Sequence, residues 1–256
     1  MNLGTDIDEI LVSLEDGVLS ITLNRPAKKN ALHGTMYARM AELIEGAAES
    51  SEVGAILFAG TDDCFSSGND VSTFGDYEGD PDDSPPVRFL RALVHCQLPV
   101  VAAVNGPAIG VGTTMLLHCD VVVAGDEATF NTPFVDLGVC PEAASSYTMP
   151  QRMGYTSAAR LLLLGETFDA AQALDCGLVT EMHPAGEYRR RAGELAARLA
   201  GLPRTATRAT KRLMRAPMLA AMDEAMRTEN REFAACMTSP EFAEAVASFL
   251  ESTKGG

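Results

Sequence analysis

Three short stretches of this chain, residues 55–59, 99–104 and 121–124, are apolar at every position. A strand with one face in water alternates apolar and polar residues. A strand apolar on both faces must be covered on both sides, which is the situation of a parallel sheet wrapped by crossover helices. That requirement places the chain in the α/β class. Residues 10–14 and 18–23 are two further strands, rich in β-branched residues and separated by Asp16-Gly17, a dipeptide suited to a tight hairpin turn.

Helical spacing accompanies them. Met36, Met40, Leu43, Ile44 and Ala47 share one face of a helix over residues 35–48. Further helices are predicted at 87–96, 110–118, 143–152, 156–164, 168–175, 187–200, 204–214, 217–236 and 239–251. Strands dominate the first half and helices the second, giving a core over residues 1–200 and a helical region over 201–256. Residues 75–86 combine acids, glycines and prolines and suit neither a core nor a helix. They read as an exposed, mobile acidic loop, or as a lid beside a site.

The formal charge of −15 argues against binding nucleic acid or docking on an anionic membrane, both of which need positive charge. No apolar run approaches the about 18 residues of a membrane span. Residues 1–6 lack the basic start and apolar stretch of a signal peptide, and 254–256 are not a peroxisomal address. The six cysteines are widely spaced and no two histidines lie within one helical turn, so neither a zinc site nor a redox pair is expected. Free thiols in a reducing cytoplasm fit this pattern. Between Ala196 and Met222 there is no acid, yet Arg204, Arg208, Lys211, Arg212 and Arg215 fall there. This positive patch either holds an anionic group or is an ordinary solvated helix face.

Two glycine turns follow apolar strands: residues 64–70, ending Ser66-Ser67-Gly68-Asn69-Asp70, and residues 105–112, containing Gly110-Val111-Gly112. A turn that opens a helix leaves backbone N–H groups unpaired. Two such turns side by side can aim two donors at one oxygen, the geometry of an oxyanion hole. Spacing alone leaves open whether these turns do anything beyond turning.

The motifs carry more when taken together. Ile21-Thr22-Leu23-Asn24-Arg25-Pro26 with Asn30-Ala31-Leu32, Phe65-Ser66-Ser67-Gly68-Asn69-Asp70, Asn105-Gly106-Pro107-Ala108-Ile109-Gly110, and Asp169–Leu174 with Gly177-Leu178-Val179 follow one another along the chain. In that order they resemble the crotonase (enoyl-CoA hydratase/isomerase) family over roughly residues 8–250. The resemblance implies a ββα spiral with a C-terminal helical region used in trimer assembly, as a homotrimer or a hexamer of paired trimers. It implies an acyl-CoA substrate whose thioester oxygen is gripped by the backbone N–H groups of Asn69 and Val111. Ser66, Ser67, Gly68, Asp70 and Gly110 would build the two turns around it. Lys28 or Lys29 would lie near the CoA nucleotide, and Asn131 would line the acyl pocket. No cofactor is implied, since the coenzyme A thioester is the substrate.

The family's hydratases use two glutamates, one to activate water and one to protonate carbon. The matching positions here are Thr114 and Phe134. The remaining acid of interest is Glu142, in Val139-Cys140-Pro141-Glu142-Ala143-Ala144-Ser145-Ser146-Tyr147. Taken alone it could simply complement a helix dipole. The segment is similar to the Pro-Glu-x-x-Ser-Ser segment of peroxisomal-type Δ3,Δ2-enoyl-CoA isomerases, where this glutamate is the base. The resemblance therefore implies an isomerase of fatty-acid β-oxidation that moves a 3-enoyl double bond to the trans-2 position with one carboxyl. Phe134 and Met149 are the expected apolar wall around Glu142. Another acyl-CoA reaction of the family (hydration or hydrolysis) and a non-catalytic acyl-CoA-binding relative are the alternatives.

Overall fold

A computed structural model describes residues 7–73 and 80–254. The readings of residues 1–6, 75–79 and 255–256 lie outside the described residues. β1 (Ile10–Glu15) and β2 (Val18–Leu23) form the expected antiparallel hairpin, with Ile10 opposite Leu23 and Glu15 opposite Val18. Asp16 and Gly17 both take positive φ, 48° and 77°, as a tight hairpin turn requires. α1 (Gly34–Glu49) follows and buries the Met36, Met40, Leu43, Ile44 and Ala47 stripe. Next come β3 (Ala55–Ala59), α2 (Pro85–His95), β4 (Val100–Val104), β5 (Pro107–Ile109), α3 (Val111–Thr114), β6 (Val121–Gly125) and β7 (Thr129–Asn131). α4 (Ser145–Met153), α5 (Tyr155–Leu162), β8 (Phe168–Asp169), α6 (Ala170–Asp175), β9 (Glu181–His183), α7 (Tyr188–Ala200), α8 (Arg204–Met237) and α9 (Pro240–Lys254) complete the described chain.

The principal sheet runs β1-β2-β3-β4-β6-β9 and is parallel after the first pair. β5, β7 and β8 form a second, smaller sheet. A strand pair followed by a helix occurs at β1-β2-α1 and again at β4-β5-α3, while β3 leads to α2 alone. The fully apolar strands behave as their pattern demands. Ile56, Phe58, Val100, Ala102, Val104 and Val122 face the large core containing α1 and α2. Their neighbours Ala59, Val101, Ala103 and Val123 face a second core closed by Tyr188, Ala192 and Ala196 of α7. Alternation of side chains across each strand divides one apolar run between two cores.

Several boundaries differ from the sequence reading. β5, β7, β8 and β9 are two or three residues long and carry no period of their own. The predicted 110–118 helix is the single α turn of α3 followed by a tighter 3₁₀ turn, Met115–His118. Of the predicted acidic loop, Pro81–Asp83 is a 3₁₀ turn and Pro85-Pro86 open α2, where a missing N–H is harmless. The predicted helices 204–214 and 217–236 are one helix, α8, with Pro217 inside it. An interior proline costs about 3 kcal/mol. Tertiary ties on both sides offset it. Lys211 donates to Leu98 O at 2.7 Å and pairs with Asp120 at 2.6 Å, Arg215 reaches His118, and Met222 and Met226 are buried beyond the proline.

Those ties also resolve the positive patch. Arg204 donates to the carbonyl of Ser50 and Arg208 to that of Ala48 at 2.9 Å, both at the C-terminus of α1. Four of its five cations therefore latch α8 to carbonyls and to Asp120. No described helix is long and apolar enough to cross a membrane.

Candidate active site

The opening signature works as scaffolding. Arg25 pairs with Asp70 at 2.7 Å and donates to Ala31 O at 3.0 Å. Asn30 takes a positive φ of 54°, accepts from the Arg25 amide and donates to Cys64 O at 2.8 Å. Leu32 N–H donates to Gly68 O and the Asp70 amide returns a bond to Leu32 O, each at 2.8 Å. Burial alone would raise the Asp70 carboxyl, yet bonds from Ser72 and Arg25 hold it below its ordinary value. Asp70 is thereby an anchor rather than a free acid. Ser66 donates its hydroxyl to Asn30 O, and Ser67 donates its own to Lys28 O. Lys28 is exposed on the short turn Pro26–Lys28.

The two glycine turns are joined directly. Phe65 and Ser66 amides donate to Pro107 O, and Ile109 N–H donates to Ser66 O at 2.8 Å. A Cβ on Gly68, whose φ is +91°, would stand 2.8 Å from Ile109 O. A Cβ on Gly112 would stand 2.9 Å from Ser66 O. Gly110 takes φ 55° and ψ −120°, a conformation confined to glycine. Glycine is required here for close approach as well as for turning. Among the described residues neither the Asn69 nor the Val111 amide donates to another backbone group. Two free donors therefore stand on adjoining turns, the second at the start of α3.

Glu142 stands beside the Asn69 and Thr114 side chains. It is 8% exposed, and its Oε1 has no hydrogen-bond partner of ordinary geometry. Burial, then the charge of Glu229, raises its pKa to about 7, while the side chains of Asn69 and Thr114 temper the rise. Tyr37 donates its hydroxyl to Asn69 Oδ1, which leaves the Asn69 amide NH2 to face the Glu142 carboxyl. Thr114, one of the two hydratase-type positions, is buried with its hydroxyl toward the same carboxyl, outside ordinary hydrogen-bond geometry.

A cavity of about 730 Å³ opens beside Glu142, Asn69, Asp70 and Tyr37. Its walls come from the starts of α1 and α2 and from Asn230, Phe233, Ala234 and Met237 of α8. Ser66, Ser67, Gly68, Gly110, Val111, Lys28, Asn131 and Phe134 lie outside its lining. Tyr37 joins the cavity wall near Glu142, while Phe134 and Met149 are buried in the core outside the lining. One expectation changes accordingly. Asn131 does not line the cavity, because its side chain donates to Gly165 O at 2.6 Å.

The chain after Glu142 is unusual. Ala143 and Ala144 both take the left-handed conformation, φ 63° and 54°. Each such alanine costs roughly 1–2 kcal/mol. Two residues remote in sequence, His118 and Glu229, hold them, and a local bond from Ser145 adds to these. His118 donates Nε2–H to Ala143 O at 2.7 Å. Glu229, from α8, accepts from the amides of Ala144 at 2.6 Å and Ser146 at 2.8 Å, and from the Ser146 hydroxyl. Ser145 donates to Glu142 O at 2.5 Å. Burial and the charge of Arg215 lower the His118 pKa to about 3, so the ring is neutral. His95, by contrast, is exposed and pairs with Asp223. Cys140 is half-buried with its thiol pushed up to about 12 by burial, and is no nucleophile.

Sequence reasoning missed Tyr37, Glu229 and the α8 wall. Tyr37 left a weak signal, a hydroxyl beside the apolar stripe of α1. Glu229 left none, being one of several acids on a long helix.

A family model described as enoyl-CoA hydratase/isomerase matches residues 13–255. The peroxisomal enoyl-CoA delta isomerase 3 of Mus musculus is 42% identical over 186 residues, 70% of this chain and 58% of that protein. The chain thus spans little more than half the length of the curated isomerases it matches. The 2,3-dehydroadipyl-CoA hydratase of Escherichia coli K12 is 31% identical, covering 96% of both chains. The crystal structure of an enoyl-CoA hydratase/isomerase from Pseudoalteromonas atlantica T6c superposes with a TM-score of 0.91 at 40% identity, covering 95% of this chain and 97% of that one.

Proposed function

The chain belongs to the enoyl-CoA hydratase/isomerase family and has its α/β fold with a C-terminal helical region, and from that premise we propose that it is a Δ3,Δ2-enoyl-CoA isomerase with Glu142 as its single acid–base group. The observation that carries the reading is the Glu142 carboxyl: buried, unpartnered at Oε1, beside the cavity and tuned to about 7. A general base works best when its pKa lies near the working pH. Asp70, the other acid at the cavity, is engaged by Arg25 and Ser72. At the two hydratase-type positions stand Thr114 and Phe134.

The thioester oxygen of a 3-enoyl-CoA accepts from the Asn69 and Val111 amides, which stabilise the enolate that forms. Glu142 takes the proton from the α-carbon, giving a dienolate. The same carboxyl returns the proton at the γ-carbon, and the double bond moves to the trans-2 position. No water is added, so one carboxyl suffices and the reaction calls for no cofactor. The acyl chain lies in the cavity among Leu32, Leu90, Phe233 and Met237, and Lys28 attends the CoA phosphates. Assembly as a homotrimer or hexamer and residence in the cytoplasm complete the proposal.

The test is an absorbance assay with trans-3-hexenoyl-CoA beside crotonyl-CoA hydration, on wild type and Glu142→Gln. Isomerisation that falls by about 10²–10⁴-fold in the variant is expected. Hydration that survives in Glu142→Gln would place the catalytic acid elsewhere and overturn the reading.

A further inference from the structure

Glu229 is a buried carboxylate outside the cavity lining, on a helix remote in sequence from Glu142. Each of its oxygens accepts a backbone N–H, from Ala144 and from Ser146, and Oε1 also accepts the Ser146 hydroxyl. Burial raises the Glu229 pKa above the ordinary carboxylate value, and the bonds from Ser146 and Ala144 oppose that rise; this donor set suits the ionised form, which only accepts. The amides it grips belong to the left-handed alanine pair immediately after Glu142 and to the first turn of α4. Locally only the Ser145 amide and hydroxyl brace this turn, both on Glu142 O, while alanine itself disfavours the left-handed conformation at both positions.

We propose that Glu229 is a positioning residue for Glu142: from α8 it clamps the Ala143–Ser146 turn and so fixes the carboxyl that faces the cavity. This rests on the reading of Glu142 as the acid–base group. The clamp has a second consequence. The Glu229 charge faces Glu142 and helps keep that carboxyl a base of near-neutral strength. The other titratable groups around the pair are constant over the working range. Burial raises the Tyr37 hydroxyl of α1, the Cys140 thiol is pushed up to about 12, and His118 stays neutral. Arg152 of α4 donates to Leu117 O, and Arg215 of α8 bonds His118. Glu229 is therefore the neighbour whose removal changes the field at Glu142.

The experiment compares the full-length wild type with Glu229→Gln. The Glu142 carboxyl is followed by ¹³C NMR titration, its signal identified by its absence in Glu142→Gln. kcat and KM are measured with trans-3-hexenoyl-CoA. Glutamine keeps one acceptor, loses the charge and turns an NH2 toward a backbone N–H. The Glu142 midpoint is expected to fall by about one pH unit. kcat is expected to fall about tenfold or more while KM holds. An unchanged midpoint, or a rise in KM with kcat intact, overturns the proposal. Should Glu229→Gln not fold, Glu229→Asp decides it: with the charge kept and the reach shortened, kcat must fall while the midpoint stays high. If the wild type does not isomerise a 3-enoyl-CoA, the functional reading fails on its own, and the NMR midpoint still decides whether the Glu229 charge acts on Glu142.

Discussion

The two sides of the candidate site reach their shapes by opposite routes. On one side the joined turns at 66–70 and 105–112 use Gly68, Gly106, Gly110 and Gly112 wherever φ is positive or another backbone comes close. Their conformation is compatible with their own residues, and neighbouring signature residues such as Arg25 and Asn30 brace them. On the other side Glu142 precedes two alanines in a conformation that alanine disfavours. That turn exists because His118 and Glu229 hold it from afar. A donor pair can be written into a local motif. A buried carboxyl of raised pKa needs a low-dielectric site that only distant elements can close around it.

Substitutions can break this contrast or sharpen it. On the glycine side the largest effect is expected for Gly68→Ala, which drives a methyl to 2.8 Å from Ile109 O and separates the turns. Loss of one oxyanion donor costs about 10²–10³ in kcat. Steady-state assay with trans-3-hexenoyl-CoA checks it, and an alanine variant of near wild-type kcat would show that the turns need not touch.

Glu142→Gln tests the other side through stability. A carboxyl whose folded pKa is raised from 4.5 to about 7 binds its proton more tightly in the folded state. Folded stability is full below pH about 4.5 and is lost as pH rises through 7, because the native protein must then hold a buried charge. Removing the charge is expected to stabilise the protein at pH 8 by up to about 3 kcal/mol, read by urea unfolding, while activity disappears. For the same reason kcat/KM should rise with pH through about 7 in the wild type.

Asp70→Asn has the opposite sign and a smaller size. The Asp70 pKa is lowered, so its contribution is present above the ordinary carboxylate range and is lost as pH falls through the folded value. Breaking the partly exposed pair with Arg25 should cost about 1–2 kcal/mol at pH 7 and little at acid pH, seen as converging melting curves. The smallest effect is expected for Ala144→Gly. Relief of the left-handed φ, roughly 1–2 kcal/mol, is largely offset by the greater freedom of the unfolded chain, about 0.4–1 kcal/mol. Urea unfolding should place the variant within about 1 kcal/mol of wild type. A large loss would mean that the turn is not strained at Ala144.

The legible part of this protein follows from short-range physics. The apolar runs at 55–59, 99–104 and 121–124 had to become covered strands, and they did. The Asp16-Gly17 hairpin and the α1 stripe each follow from residues within a few positions of one another. The small strands β5, β7, β8 and β9 were not legible, because two or three residues show no period. The continuity of α8 was not legible either, since proline argues locally for a break and only its packing overrides that.

By itself the sequence determined the α/β class, the two glycine turns and the position of one isolated acid in an apolar segment. Backbone preference and hydrophobic period are local properties, so they can be read along the chain. The tertiary structure decided the rest. It gave four of the α8 cations to carbonyls and to Asp120, tied Asp70 to Arg25, and set Tyr37 and Glu229 beside the acid. Charge, burial and pairing depend on distance in space, and residues 144 and 229 become neighbours only when the last helices pack against the core.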